Sequence, residues 1–173
     1  MTEPISYTTI EEFPLKWRFA EDSTKWTVLP PSDLACFKPL ATDSARRLWP
    51  EYVSNAAEQL MEIVTKTVSP DRNQFGTRLL VIDDNWSSEE EHQRVAKSIR
   101  QKIDIVDSAI LYFFWDASCA VETTWDILLR YWSDFCYPSD DSNVAVVLEA
   151  KAKLYYIEGT VWLSQSPQRK HAI

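Results

Sequence analysis

The sequence predicts an α+β fold, with a mainly antiparallel sheet of about five strands, a C-terminal meander, and helices packed against the sheet. Three observations carry this expectation. Two short apolar runs, Thr77–Asp83 and Ser108–Trp115, have the length and composition of buried strands. Three further strand-like runs follow one another near the C-terminus with turn residues between them. Several other segments repeat apolar residues at helical spacing. At 173 residues and 45% hydrophobic content, the chain is expected to form one domain with its own core, frayed over 1–12 and 165–173.

Taken in order, residues 1–41 are the least regular. Trp17, Phe19, Trp26 and Val28 alternate with polar residues and read as short extended segments, punctuated by Pro14, Pro30, Pro31 and Pro39. Ser32 is placed to cap a single helical turn to Phe37. A helical region follows from about Thr42 to Lys66, with Thr42 or Asp43 as its cap. Pro50 is expected to end a first piece and open a second, whose apolar face is Val53, Ala56, Ala57, Leu60, Ile63 and Val64. After a loop at 68–76 comes the strand Thr77–Asp83. Ser87 or Ser88 with Glu90 or Glu91 then makes a capping box for a helix carrying His92, Val95, Ala96, Ile99 and Ile103 on one face.

Ser108–Trp115 is apolar on both faces and is expected to be central in its sheet. Ser118 is read as the cap of a helix Cys119–Phe135. Its buried face would be Val121, Trp125, Leu128, Trp132 and Phe135, and its wet face Thr123, Asp126, Arg130 and Asp134. The meander comprises Asn143–Glu149, Lys153–Glu158 and Thr160–Ser164, with Gly159 supplying a positive φ in the second turn.

Composition excludes more functions than it suggests. A net charge of -8 argues against a nucleic-acid-binding surface, which needs Lys and Arg to displace counterions. No polybasic run points to an anionic membrane, and the longest apolar run, Ala109–Trp115, falls far short of a span of roughly 20 residues. Two glycines leave no phosphate-cradling loop, and two histidines leave no histidine-rich metal centre. No cofactor is predicted. The N-terminus has neither a basic nor an apolar leader region, and the three cysteines lack metal spacing, so a reducing cytoplasm is the expected compartment.

Three constellations remain. Cys119, expected just inside a helix N-terminus, is the candidate nucleophile, with His92 as its imidazole partner; a small buried cysteine is the competing reading. Asp83, Asp84 and Asp116, with Asp140 and Asp141, lie at predicted element ends and are candidate metal ligands, against the ordinary use of Asp in turns. Trp86, Tyr131, Tyr137 and Trp162 lie off the buried stripe or near element ends. Together with Asp116, Asp140 and Asp141 they make a candidate partner-binding patch, because Trp and Tyr anchor interfaces.

The run FFWDASCAVETTWDILLRYWSDFCYPSDDSN, with LKWRF and ARRLWPEYV upstream, resembles a small family of uncharacterised gammaproteobacterial proteins carrying a domain of unknown function. FCYPSDD is its most specific part. The resemblance implies a compact single domain and brings no activity, substrate or catalytic residue. The order of a helix-rich first half, strands, an aromatic helix and a terminal meander is similar to SMI1/KNR4-type immunity proteins. The functional expectation is therefore a non-catalytic acidic protein-binding module, an immunity protein or an inhibitor of a basic partner. The alternatives are a small enzyme or metal-binding protein using Cys119 or the Asp cluster, and a bacterial housekeeping protein.

Overall fold

The hairpin formed by Ile110–Asp116 (β3) and Cys119–Thr124 (β4) is where the chain departs most from its sequence periodicity. Asp116 Oδ1 accepts hydrogen bonds from the Ser118 N–H at 2.6 Å and the Ser118 hydroxyl at 2.7 Å. This side-chain turn reverses the chain into a strand, where a helix cap at Ser118 was expected. Val121, Thr123 and Thr124 are β-branched and suit a pleated, half-covered surface better than a helix interior. The helix starts six residues later than predicted, at Trp125, where Thr124 Oγ1 accepts the Ile127 N–H. It breaks at Tyr131, so that Trp125–Arg130 and Trp132–Phe135 are separate short helices.

The computed structural model describes residues 3–21, 28–53, 76–83, 86, 88–137, 140 and 142–165. Among them, seven strands form one antiparallel sheet, against about five expected. They are β1 (Lys38–Pro39), β2 (Thr77–Val81), β3, β4, β5 (Ser142–Val147), β6 (Ala152–Ile157) and β7 (Thr160–Gln165), in the spatial order β1-β4-β3-β5-β6-β7-β2. β5, β6 and β7 are the expected meander. Its second turn places Glu158 at φ 44° and Gly159 at φ 74°, both left-handed as a tight hairpin turn requires. Thr77–Val81, expected to be a buried strand, lies at the sheet edge beside β7. Gly76 precedes it with φ 101°, against the Leu163 carbonyl where a Cβ would collide.

Among the described residues, five helices cover the sheet: α1 (Pro31–Leu34), α2 (Thr42–Tyr52), α3 (Glu89–Lys102), α4 (Trp125–Arg130) and α5 (Trp132–Phe135). Strand alternation divides the core into two layers. One face of the sheet presents Leu111, Phe113, Val121, Ala145, Leu154 and Tyr156 to the N-terminal segment, α3, α4 and α5. The other presents Tyr112, Phe114, Ala120, Val144, Tyr155 and Trp162 towards α2, whose Leu48, Trp49 and Val53 pack there. Pro50 lies inside α2, not at the start of a second helix. So near the helix end its missing N–H withholds one bond, to the exposed Arg46. The remainder of the predicted helix, Ser54–Lys66, falls outside the described residues.

The N-terminal segment is tied to the sheet where it is described, and around Trp17 and Phe19 it is turned instead of extended; Trp26 lies outside the described residues. Tyr7 bridges to Leu40, the Thr8 N–H bonds the Pro39 carbonyl, and Lys16–Arg18 form a 3-10 turn. α1 begins at Pro31 with no side-chain cap, so Ser32 does not play the capping role predicted for it. Of the two serines expected to cap α3, Ser88 does so: its Oγ accepts the Glu91 N–H at 3.1 Å. Val95, Ile99 and Ile103 form its buried stripe. Two residues assigned to a wet face are enclosed: Thr123 is 1% exposed on β4 and Asp134 is 2% exposed on α5.

Candidate functional site

The 3-10 turn at Lys16–Arg18 sets adjacent residues in opposite environments. Trp17 is 36% exposed, whereas Arg18 is 5% exposed and Phe19 is fully buried. An arginine so enclosed needs a partner, because an uncompensated buried charge is costly. Arg18 donates from Nη1 to Asp140 Oδ2 at 2.7 Å and from Nη2 to Asp140 Oδ1 at 2.6 Å, a two-pronged ion pair. Nη1 also reaches the Asp134 carbonyl at 3.4 Å. Asp140 Oδ2 accepts in addition the Tyr137 N–H at 3.1 Å and Asn143 Nδ2 at 3.3 Å. The carboxylate is therefore held by the turn that follows α5.

The same guanidinium lies 5.1 Å from the Trp17 ring and 5.7 Å from the Tyr137 ring. Tyr137 in turn meets Trp86 edge-on at 4.9 Å. Trp17, Arg18, Tyr137 and Trp86 thus form a continuous row, in which Tyr137 and Trp86 are half-buried and Trp17 is the most exposed.

A second polar cluster joins α1 to α4. Asp33 accepts both guanidinium nitrogens of Arg130, at 2.6 and 3.1 Å, and the Tyr131 hydroxyl at 2.5 Å. These bonds, Arg130 first, hold the Asp33 carboxyl below the usual carboxylate range. Arg94 likewise lowers Glu91, through Nε and Nη2 bonds of 2.6 Å each. Burial lowers His92, so its imidazole is neutral at pH 7.

All three groups bind protons more weakly in the folded chain than in the unfolded chain. Their stabilisation is complete above the ordinary values. It is lost as pH falls, first through the imidazole range and then below the carboxylate range. Thermal midpoints measured from pH 7 to pH 3 are therefore expected to fall, steepest at the acid end; a flat profile would contradict these assignments.

The predicted site residues are distributed over several places. Cys119 opens β4 instead of a helix, and its thiol is pushed up to about 12 by burial and by the nearby Asp116 charge. That removes the thiolate argument. The His92 ring packs on Trp132 at 5.1 Å, and no hydrogen bond joins it to Cys119 among the described residues. Cys119 does line a groove of about 160 Å³ with Thr8, Glu12, Phe13, Leu40 and Thr42.

Asp116 is exposed and closes the β3–β4 turn, Asp140 pairs with Arg18, and the Asp83 N–H is bound by Glu91 Oε1 at 2.8 Å. Asp84 and Asp141 lie outside the described residues. No group of three or more His, Cys, Asp or Glu that could hold a metal occurs among the described residues. Trp162 is 8% exposed in the α2-facing layer and presents no surface. Tyr131 is half-buried and bound to Asp33. Sequence reasoning missed Arg18; its one signal was a lone arginine between Trp17 and Phe19.

Residues 7–163 match the family described as a protein of unknown function, DUF2947. The chain belongs to that family. The DUF2947 match runs from the Tyr7 bridge into β7, so it spans the whole aromatic row and the Arg18–Asp140 pair. The match does not confirm the similarity to SMI1/KNR4-type proteins. No curated protein and no solved structure matches the chain. No helix among the described residues is long and apolar enough to cross a membrane.

Proposed function

We propose that this DUF2947 protein is a non-catalytic binding module for a basic protein, as an inhibitor or immunity protein would be, with Trp17, Tyr137 and Trp86 as its contact surface. The row through Arg18 carries this reading. The Arg18–Asp140 pair fixes the row's centre, with Tyr137 bound to Asp140 through its N–H and Trp86 packed on Tyr137, which limits the conformational entropy lost on binding. It already sets one guanidinium 5.1 and 5.7 Å from two aromatic rings, the contact a partner's arginine would make. The chain's net charge of -8 would draw such a partner in and set a salt-dependent association rate. Chemistry at Cys119 ranks lower because its thiol resists ionisation at neutral pH.

The test uses two baits in parallel, the unsubstituted chain and Trp17→Ser/Trp86→Ser, each first shown to be folded by circular dichroism. A basic protein captured from the host by the first is expected to bind the second about 30-fold more weakly or worse, the loss typical of a single interface tryptophan. Equal capture by both baits would refute the surface.

A further inference from the structure

Among the described residues, the two ends of the sheet are protected differently. β1 is only two residues long, contains Pro39, and is strapped by Tyr7 and Thr8. β2 at the other end is five residues long and reads TRLLV, with Val81 54% exposed and no acidic side chain. A strand of that kind invites pairing with another chain.

Its outward backbone groups can be identified from the register. Val81 faces Thr160, and the next N–H, that of Ile82, bonds the Gly159 carbonyl. In an antiparallel ladder this makes Val81–Thr160 a non-hydrogen-bonded pair, so the N–H and C=O of Val81 point away from β7, as do those of Asp83. α3 supplies partners to this outer row. Arg94 Nη2 donates to the Val81 carbonyl at 2.8 Å, Glu91 Oε1 accepts the Asp83 N–H at 2.8 Å, and Lys102 Nζ donates to the Leu79 carbonyl. The Glu91–Arg94 ion pair at 2.6 Å locks two of these three together.

We propose that Glu91, Arg94 and Lys102 of α3 seal the β2 edge against strand addition by a second copy of this chain. A second copy is the occupant at issue because the identical strand can pair antiparallel about a twofold axis. It is also the molecule present at highest local concentration during synthesis and folding. The seal occupies carbonyls an incoming strand would need, and it sets two cations beside a strand that itself carries Arg78.

Light scattering across a hundredfold concentration range tests the seal in Arg94→Met/Lys102→Met, which keeps the apolar stems. The mass-average molecular weight is expected to rise at least twofold with concentration, while the unsubstituted chain stays constant. Adding Val81→Lys, which returns a charge to the exposed edge, is expected to restore the original state. The double variant leaves the Glu91 carboxylate without its cation; if circular dichroism shows it unfolded, Lys102→Met alone decides, with the same expected direction. A folded variant that keeps the wild-type mass at every concentration, or association that Val81→Lys leaves untouched, overturns the proposal.

Discussion

Arg18→Ala is expected to cost about 3–5 kcal/mol of folding free energy, the usual penalty for removing one partner of a buried ion pair. For a chain of this size that corresponds to a thermal midpoint lower by roughly 10 °C. Three losses combine: the two-pronged bond to Asp140, the cation–π contacts with Trp17 and Tyr137, and the tie from the N-terminal segment to the turn after α5. Asp140→Asn should cost a similar amount, since it strands the guanidinium instead. Because both changes break one interaction, their effects should be far from additive, and a double-mutant cycle by urea unfolding measures the coupling directly. A cost under about 1 kcal/mol for Arg18→Ala would show that the pair is dispensable, and with it the rigidity claimed for the aromatic row.

Phe135→Ala is expected to be comparably severe, about 3–5 kcal/mol, because it opens a cavity in the densest aromatic part of the core. The Phe135 ring is fully buried and meets four others: Phe19 at 5.0 Å, Phe113 at 5.0 Å, Trp115 at 5.8 Å and Phe37 at 6.0 Å. The Trp115 contact is stacked at 8° between planes. Its backbone carbonyl also accepts Trp115 Nε1 at 3.0 Å and Asn143 Nδ2 at 3.2 Å. Phe135→Leu keeps most of the volume and should lose less than half as much. The near-ultraviolet circular dichroism of the alanine variant should weaken with the loss of the Trp115 stack. Unchanged signal and stability would mean that this cluster does not organise the core.

These two residues are linked through Phe19, which follows Arg18 in the chain and packs on the Phe135 ring at 5.0 Å. Arg18 holds the row in place from the N-terminal turn, and Phe135 supports that turn from beneath through the Phe19 ring. Loss of either should therefore weaken partner capture through the fold, which is why the capture test relies on Trp17 and Trp86 and not on Arg18.

Local chemistry was enough to read several features from the chain alone. The serine cap of α3 at Ser87 or Ser88, the face of that helix that includes Val95, Ile99 and Ile103, the three-strand meander and the positive φ at Gly159 each depend on residues within a few positions of one another. β3 was legible as a central strand because both its faces are apolar.

Cys119–Phe135 was misread because Val121, Trp125, Leu128, Trp132 and Phe135 are all buried, at spacings a single helix would give. A strand followed by two short helices satisfies that list equally well. What separates the two outcomes is β4's pairing with β3 and β1, contacts made across the sheet.

The same limit applies to the site. Trp17 and Arg18 stand more than a hundred residues from Tyr137 and Asp140, and nothing in their local sequence announces the pair. Sequence by itself determined an acidic α+β chain with a tryptophan-rich core and a self-capped α3. Tertiary structure alone decided which aromatics reach the surface, which charges are buried together and which sheet edge α3 guards. Periodicity records that a side chain is buried, whereas the identity of its neighbours is set by long-range packing.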